Sequence, residues 1–190
     1  MKFAVILSSV RGERSGGKVG RLVSKKLKDR GHDVEIVDPK VNVFPMLDLM
    51  YKEFPKWKAP KTIEEVHRIF EGSDGFIIVS AEYNHSVPPA LKNLIDHYEK
   101  EFWFKPGGIV TYSSGIYGGA RVAPHLRVIL GELGMVTPSI MVQIPTADES
   151  IDEKGEFKEE WLEKKLQKFY DEFEWYAEAL KVKRNEGAPF

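Results

Sequence analysis

Four large apolar residues, Phe76-Ile77-Ile78-Val79, run together and then break off into the polar segment Ser80-Ala81-Glu82-Tyr83-Asn84-His85-Ser86, with Pro88-Pro89 following. A branched apolar run this short suits a strand buried on both faces, the kind found in a parallel sheet covered by helices. Beyond the prolines, Leu91, Leu94, Ile95 and Tyr98 recur at three- and four-residue spacing. They make one apolar helix face, and proline is tolerated in the first turn because that N–H has no intrahelical partner. The unit is therefore strand, polar loop, helix. In an open parallel sheet, a loop beyond the carboxyl end of a strand is where ligands bind.

The same unit recurs along the chain. Phe3 to Leu7 leads through the loop Ser8 to Gly17 into a helix with Val19, Leu22, Val23 and Leu27 on one face, and Gly31 stands where a left-handed terminator is expected. Asp33 to Asp38 reads as a second strand near an edge. Thr62 with Glu65 has the spacing of a capping box before Ile63, Val66, Ile69 and Phe70. Gly107 to Tyr112 is a fourth strand, followed by the loop Ser113 to Arg121 and a helix marked by Leu126, Ile129, Leu130 and Leu133. Ser139 to Ile144 supplies a fifth strand. Strands alternating with helices call for an α/β fold, a doubly wound five-stranded parallel sheet in the order 2-1-3-4-5 with helices on both faces. That order brings the loops after strands one, three and four to a single crevice. The 190 residues suit one domain, 1–190. It carries an aromatic-rich insertion at 41–60 and a C-terminal amphipathic helix at about 157–181, whose stripe is Leu162, Leu166, Phe169, Phe173, Ala177 and Leu180.

Composition removes several chemistries. No cysteine is present, which excludes disulfides, thiolate catalysis and thiolate-held clusters. The formal net charge of −1 gives no basic field for nucleic acid. The Phe3–Leu7 run is too short for a secretion signal core or a membrane span, so a cytoplasmic protein is expected. Two nucleotide motifs fail at the first loop. Gly12 to Val19 spells G-x-x-x-x-G-K-V, and Val19 has no hydroxyl for the magnesium that the P-loop holds. The G-x-G-x-x-G fingerprint is absent. What the loop does offer is Arg11 and Arg14 beside a helix N-terminus, an arrangement suited to a phosphate. Together with Tyr83, Asn84 and the serines and glycines of 113–119 on the other side, it describes a site for a phosphorylated planar ligand of flavin mononucleotide size.

Ser9-x-Arg11-x-x-Arg14-x-Gly16, Ala81-Glu82-Tyr83-Asn84-His85-Ser86-Val87-Pro88, Leu91-Lys92-Asn93-Leu94-Ile95-Asp96, Lys105-Pro106 and Ser114-Gly115-x-x-Gly118-Gly119-x-Arg121 resemble the NAD(P)H-dependent FMN reductase family of flavodoxin-like proteins, the quinone, azo and chromate reductase group. The match runs in order from the first strand to about Pro138. Ala81 stands where the family usually has proline, and Ser8-Ser9 where Gly-Ser is commoner. The resemblance implies FMN held at its phosphate by Ser9, Arg11, Arg14, Ser15 and Gly16. It implies Ala81, Glu82, Tyr83 and Asn84 along the ring, and Ser113, Ser114, Gly115, Gly118 and Gly119 at its pyrimidine edge. It implies an enzyme that takes hydride from NADPH or NADH and passes it to a small-molecule acceptor, with no side chain acting as nucleophile and no metal. The alternative is a flavodoxin-like electron shuttle. The resemblance also implies a homodimer or homotetramer, and the aromatic segments Phe44 to Trp57 and Phe102-Trp103-Phe104 are the surfaces expected at that contact. His97 and His125 are expected on helix surfaces or at that contact, His85 in a loop, and Asp96, four residues after Lys92 on the same helix, in a structural or interfacial role.

Overall fold

The computed structural model describes residues 1–56 and 58–190. Its sheet has five parallel strands in the order β2-β1-β3-β4-β5: β1 Lys2–Leu7, β2 Asp33–Val37, β3 Gly75–Ala81, β4 Gly107–Tyr112 and β5 Val142–Ile144. The connecting helices are α1 Gly16–Asp29, α2 Lys61–Gly72, α3 Pro89–Asp96, α4 Val122–Glu132, a four-residue α5 Ala147–Ser150, and α6 Glu160–Glu186. Alternation along each strand divides the core in two. Phe3, Val5, Leu7, Ile77, Val79, Val110 and Tyr112 pack under α1 and α6. Ala4, Ile6, Phe76, Ile78 and Ile109 pack under α2, α3 and α4. Every residue of β3 and β4 is buried, which is why both read as unbroken apolar runs. Register places Leu7 beside Val79 and Ala81 beside Tyr112. Three strands therefore end side by side at one pole.

Several boundaries differ from the sequence reading. The first residue of α2 is Lys61, with Pro60 at its cap position, so Thr62 lies inside the helix and no side chain caps it. The rigid Pro60 ring, with its preset φ, fixes the start instead. β5 is only three residues long, because Ser139 and Ile140 donate their N–H groups to Glu172 of α6 rather than to β4. α6 begins at Glu160, three positions after Phe157, which pairs with Ile151 in an isolated bridge. His97 is buried, not superficial: its Nδ1 bonds Asn93 O at 2.7 Å and its ring packs on Phe44. Phe102 lies in the core against Phe70 and Phe76 and offers nothing to a subunit contact. The rings of Trp103 and Phe104 meet Phe190. In the 41–60 segment, Phe44, Tyr51 and Phe54 fold back on the domain while Val43, Met46, Leu47 and Leu49 face outward; Trp57 is outside the described residues. No helix among the described residues is long and apolar enough to cross a membrane.

Candidate active site

The three loops beyond β1, β3 and β4 are tied to one another by side chains. Ser8 Oγ accepts the N–H of Ala81 at 2.8 Å, and Ser9 Oγ lies 2.6 Å from the Tyr83 hydroxyl. These bonds draw the β1 loop against the β3 loop. On the other side, Glu82 Oε2 accepts from the N–H groups of Arg121 and Val122 at 2.9 and 3.0 Å. That carboxylate caps the start of α4 from outside the helix, where a negative charge is favoured, and so links the β3 loop to the β4 loop. Tyr83 to Ser86 forms a tight turn with paired backbone bonds of 3.0 and 2.9 Å. Its central residues, Asn84 and His85, have φ of 49° and 65°. Both belong to the few non-glycine types that tolerate the left-handed region.

Between the loops lies a crevice of 260 Å³ lined by Ser9, Arg11, Glu13, Arg14, Ser15, Ala81, Glu82, Tyr83, Tyr112, Ser113, Ser114 and Asp148. The structure thus gathers here most of the residues singled out from sequence. Arg14 stands apart in what it does: its guanidinium bonds both carboxylate oxygens of Asp38, at the end of β2, and also Ser9 O. Its donors fasten the loop. Exposed Arg11 has no part in that pair and faces the crevice. The other five site residues do not line it. Gly16 sits behind the wall, where an added Cβ would fall 2.2 Å from the Tyr112 hydroxyl. Asn84 is exposed at the turn tip, and Gly115 accepts from Ser113 Oγ and Thr146 N–H. Gly118, at φ of 58°, presses against the backbone at the end of β5, and Gly119, at 77°, against the Thr111 side chain of β4. They shape the loop from underneath.

Tyr112, Glu13 and Asp148 complete the lining without having been anticipated. Tyr112 carried a signal: as the last residue of a buried strand it shares the face of Val110 and ends beside the β1 loop. Its hydroxyl is buried with no hydrogen-bond partner of good geometry among the described residues, although Ser8 is near enough to oppose burial in setting its acidity. Burial dominates and pushes the phenol up to about 12. Asp148 had no signal, because it belongs to the short turn after β5 that no periodicity marks.

A phosphate group such as FMN carries suits the residues at the start of α1. The first turn of α1 contains no acid, Ser15 does not cap it, and its N–H groups before Lys18 meet no backbone acceptor among the described residues. A buried, orphaned tyrosine hydroxyl lies against the same turn. Donors left open in this way suit an oxyanion. A second cavity, 340 Å³, is lined by Tyr51, His67, Glu101 and Lys105 among others, at the opposite pole where the strands begin. There His67 pairs with Glu101 at 2.7 Å and Lys105 Nζ bonds Phe70 O at 2.8 Å, closing the end of α2. Its polar groups serve each other.

A family model described as NADPH-dependent FMN reductase matches residues 1–149. The quinone reductase of Escherichia coli (strain K12) is 33% identical over 134 residues, 68% of this chain and 69% of that protein. A 2-hydroxy-1,4-benzoquinone reductase from a Burkholderia species is 30% identical over 184 residues, covering 91% and 94%. Among solved structures, the flavoenzyme NAD(P)H:(acceptor) oxidoreductase FerB from Paracoccus denitrificans is similar with a TM-score of 0.77 at 24% identity, over 94% of this chain and 97% of that one. A flavodoxin mutant from Pseudomonas aeruginosa gives 0.56 at 19% identity, over 88% and 97%. Likeness at such identities is likeness of fold.

Proposed function

The chain belongs to the NADPH-dependent FMN reductase family, and from that premise we propose that this oxidoreductase holds FMN in the crevice between its β1, β3 and β4 loops and passes electrons from NAD(P)H to quinones. The observation that carries the reading is the convergence of three loops on a helix start whose N–H groups before Lys18 meet no backbone acceptor among the described residues. Ser9, Ser15 and the first-turn N–H groups of Gly16 and Gly17 bind the phosphate, and Arg11 brings the cationic fork that matches its oxygens. Arg14 holds the loop to Asp38. Ala81 to Asn84 form one wall of the ring site and Ser113 to Gly115 the other, with Glu82 keeping the two walls at fixed separation. When bound, FMN supplies the hydride chemistry, so the chain need contribute only orientation and hydrogen bonds.

Quinones are favoured as acceptors because relatives across most of the chain are named for them; free flavin, azo dyes and metal ions are the acceptors to compare. The outward Val43 and Met46, with Pro89, Ala90 and Val10 around a shared groove, support a homo-oligomer, which light scattering at micromolar concentration checks. The need for a reduced nicotinamide favours a cytoplasmic location, which cell fractionation tests. Purified protein loaded with FMN, freed of excess flavin and mixed anaerobically with NADPH or NADH, should lose its flavin absorbance and regain it on adding benzoquinone. Bound flavin that neither nucleotide bleaches would refute the reductase reading and favour the shuttle.

A further inference from the structure

Ser15 stands at the start of α1, yet its hydroxyl does not turn back to cap the helix; it donates to Asp148 Oδ1 at 2.7 Å. The turn that carries Asp148 is fastened on both sides of the crevice. Thr146 N–H donates to Gly115 O and Ala147 N–H to Ser113 O, each at 3.0 Å, which ties it to the β4 loop. Lys18 Nζ donates to Ile151 O at 2.6 Å, which ties it to α1. Thr146 has φ of 39°, a left-handed conformation that a β-branched residue adopts only under constraint. The kink aims the carboxylate at the N-terminus of α1, where the macrodipole favours an anion. A carboxylate thus lies on a hydroxyl, and beside N–H groups, that the flavin phosphate would use.

We propose that Asp148 is an intramolecular competitor of the flavin phosphate. Its charge and its hold on Ser15 weaken FMN retention, so the chain exchanges its flavin more readily than it would with a neutral residue there. This rests on the FMN reading of the crevice. The competing account is that Asp148 only caps α1 from a distance, in which case it affects stability and not phosphate.

Titration of the protein and of Asp148→Asn with FMN and with riboflavin, followed by quenching of flavin fluorescence, separates the two. Asparagine keeps an acceptor for Ser15 and removes the charge. Loss of one negative charge beside a dianion at an exposed site should tighten FMN about fivefold or more. Riboflavin, which lacks the phosphate, should bind equally to both forms, and D148A should follow D148N. Equal FMN affinity in the two forms, or a parallel gain for riboflavin, overturns the proposal while leaving the flavin site standing. Failure of both forms to take up FMN removes the cofactor reading, and this inference falls with it.

Discussion

Replacing Gly16 by alanine tests how tightly the crevice wall is built. A Cβ at this position would lie 2.2 Å from the Tyr112 hydroxyl and 3.0 Å from the ring carbon that bears it, where contacts of about 3.5 Å or more are normal. Tyr112 is only 4% exposed and packs in the core under α1 and α6, so the ring cannot swing away cheaply. Overpacking of this kind costs about 1–3 kcal/mol, partly offset by up to about 1 kcal/mol from the reduced freedom of the unfolded chain. The net loss of about 1–2 kcal/mol corresponds, for a domain of this size, to a fall in Tm of about 2–8 °C. Tyr112→Phe removes the atom that clashes, and it removes a buried hydroxyl without a good partner, so alone it should be neutral or stabilising by up to about 1 kcal/mol. Combined with Gly16→Ala it should recover most of the loss, a coupling of about 1 kcal/mol in a double-mutant cycle followed by circular dichroism melts and urea unfolding. Gly17→Ala is the control, since its Cβ would meet only the tip of Arg21 at 3.4 Å. If G16A melts with G17A, or if Y112F fails to rescue it, the close packing of helix start against tyrosine is wrong.

Other perturbations reach the neighbouring devices. Glu82→Ala removes the acceptor of two N–H groups at the start of α4 and should cost about 1–2 kcal/mol by urea unfolding, with weaker FMN uptake. Glu82→Gln should restore part of both, and an unchanged E82A would mean the loops are held by something else. Asp38→Ala leaves the Arg14 guanidinium, whose side chain is 11% exposed, without its counter-charge. The expected loss is about 2–3 kcal/mol, and a loss below about 0.5 kcal/mol would show the pair to be solvated. Burial, with Arg184 adding to it, pushes Lys105 down to about 8 from an ordinary 10.5. The unfolded chain therefore holds more protons between pH 8 and 10.5, and the burial penalty present at lower pH is relieved as pH rises through that window. Lys105→Met should remove up to about 3 kcal/mol of that rise, read as a flatter stability curve than the parent's between the two values; parallel curves would refute it.

The central strands were legible because their burial is written in their own residues: Phe76 to Val79 and Gly107 to Tyr112 have no polar face to offer water, and the helices between strands then call for the doubly wound order. The loops followed from strand ends, which is why Ser9, Ser15, Tyr83 and Ser113 all line the crevice. The resemblance carried the rest of the identification, since phosphate chemistry alone does not distinguish a flavin from another phosphorylated ring. What local sequence could not carry were contacts made at long separation. Asp148 meets Ser15 across 133 positions, and Arg14 meets Asp38 across 24, so one loop acid lines the crevice unannounced and one expected phosphate ligand also fastens its loop to the end of β2.

The sequence by itself determined which segments are strands and where their open ends gather, because burial on two faces marks every residue of the central strands and the alternation with helices then restricts their order. Only the tertiary structure decided which charge answers which, that Gly118 and Gly119 pack against the sheet and do not line the crevice, and that Tyr112 faces the first turn of α1 with its hydroxyl lacking a well-aligned partner among the described residues. Those outcomes depend on distances between elements far apart in the chain, and a pairing of single side chains leaves no period to read.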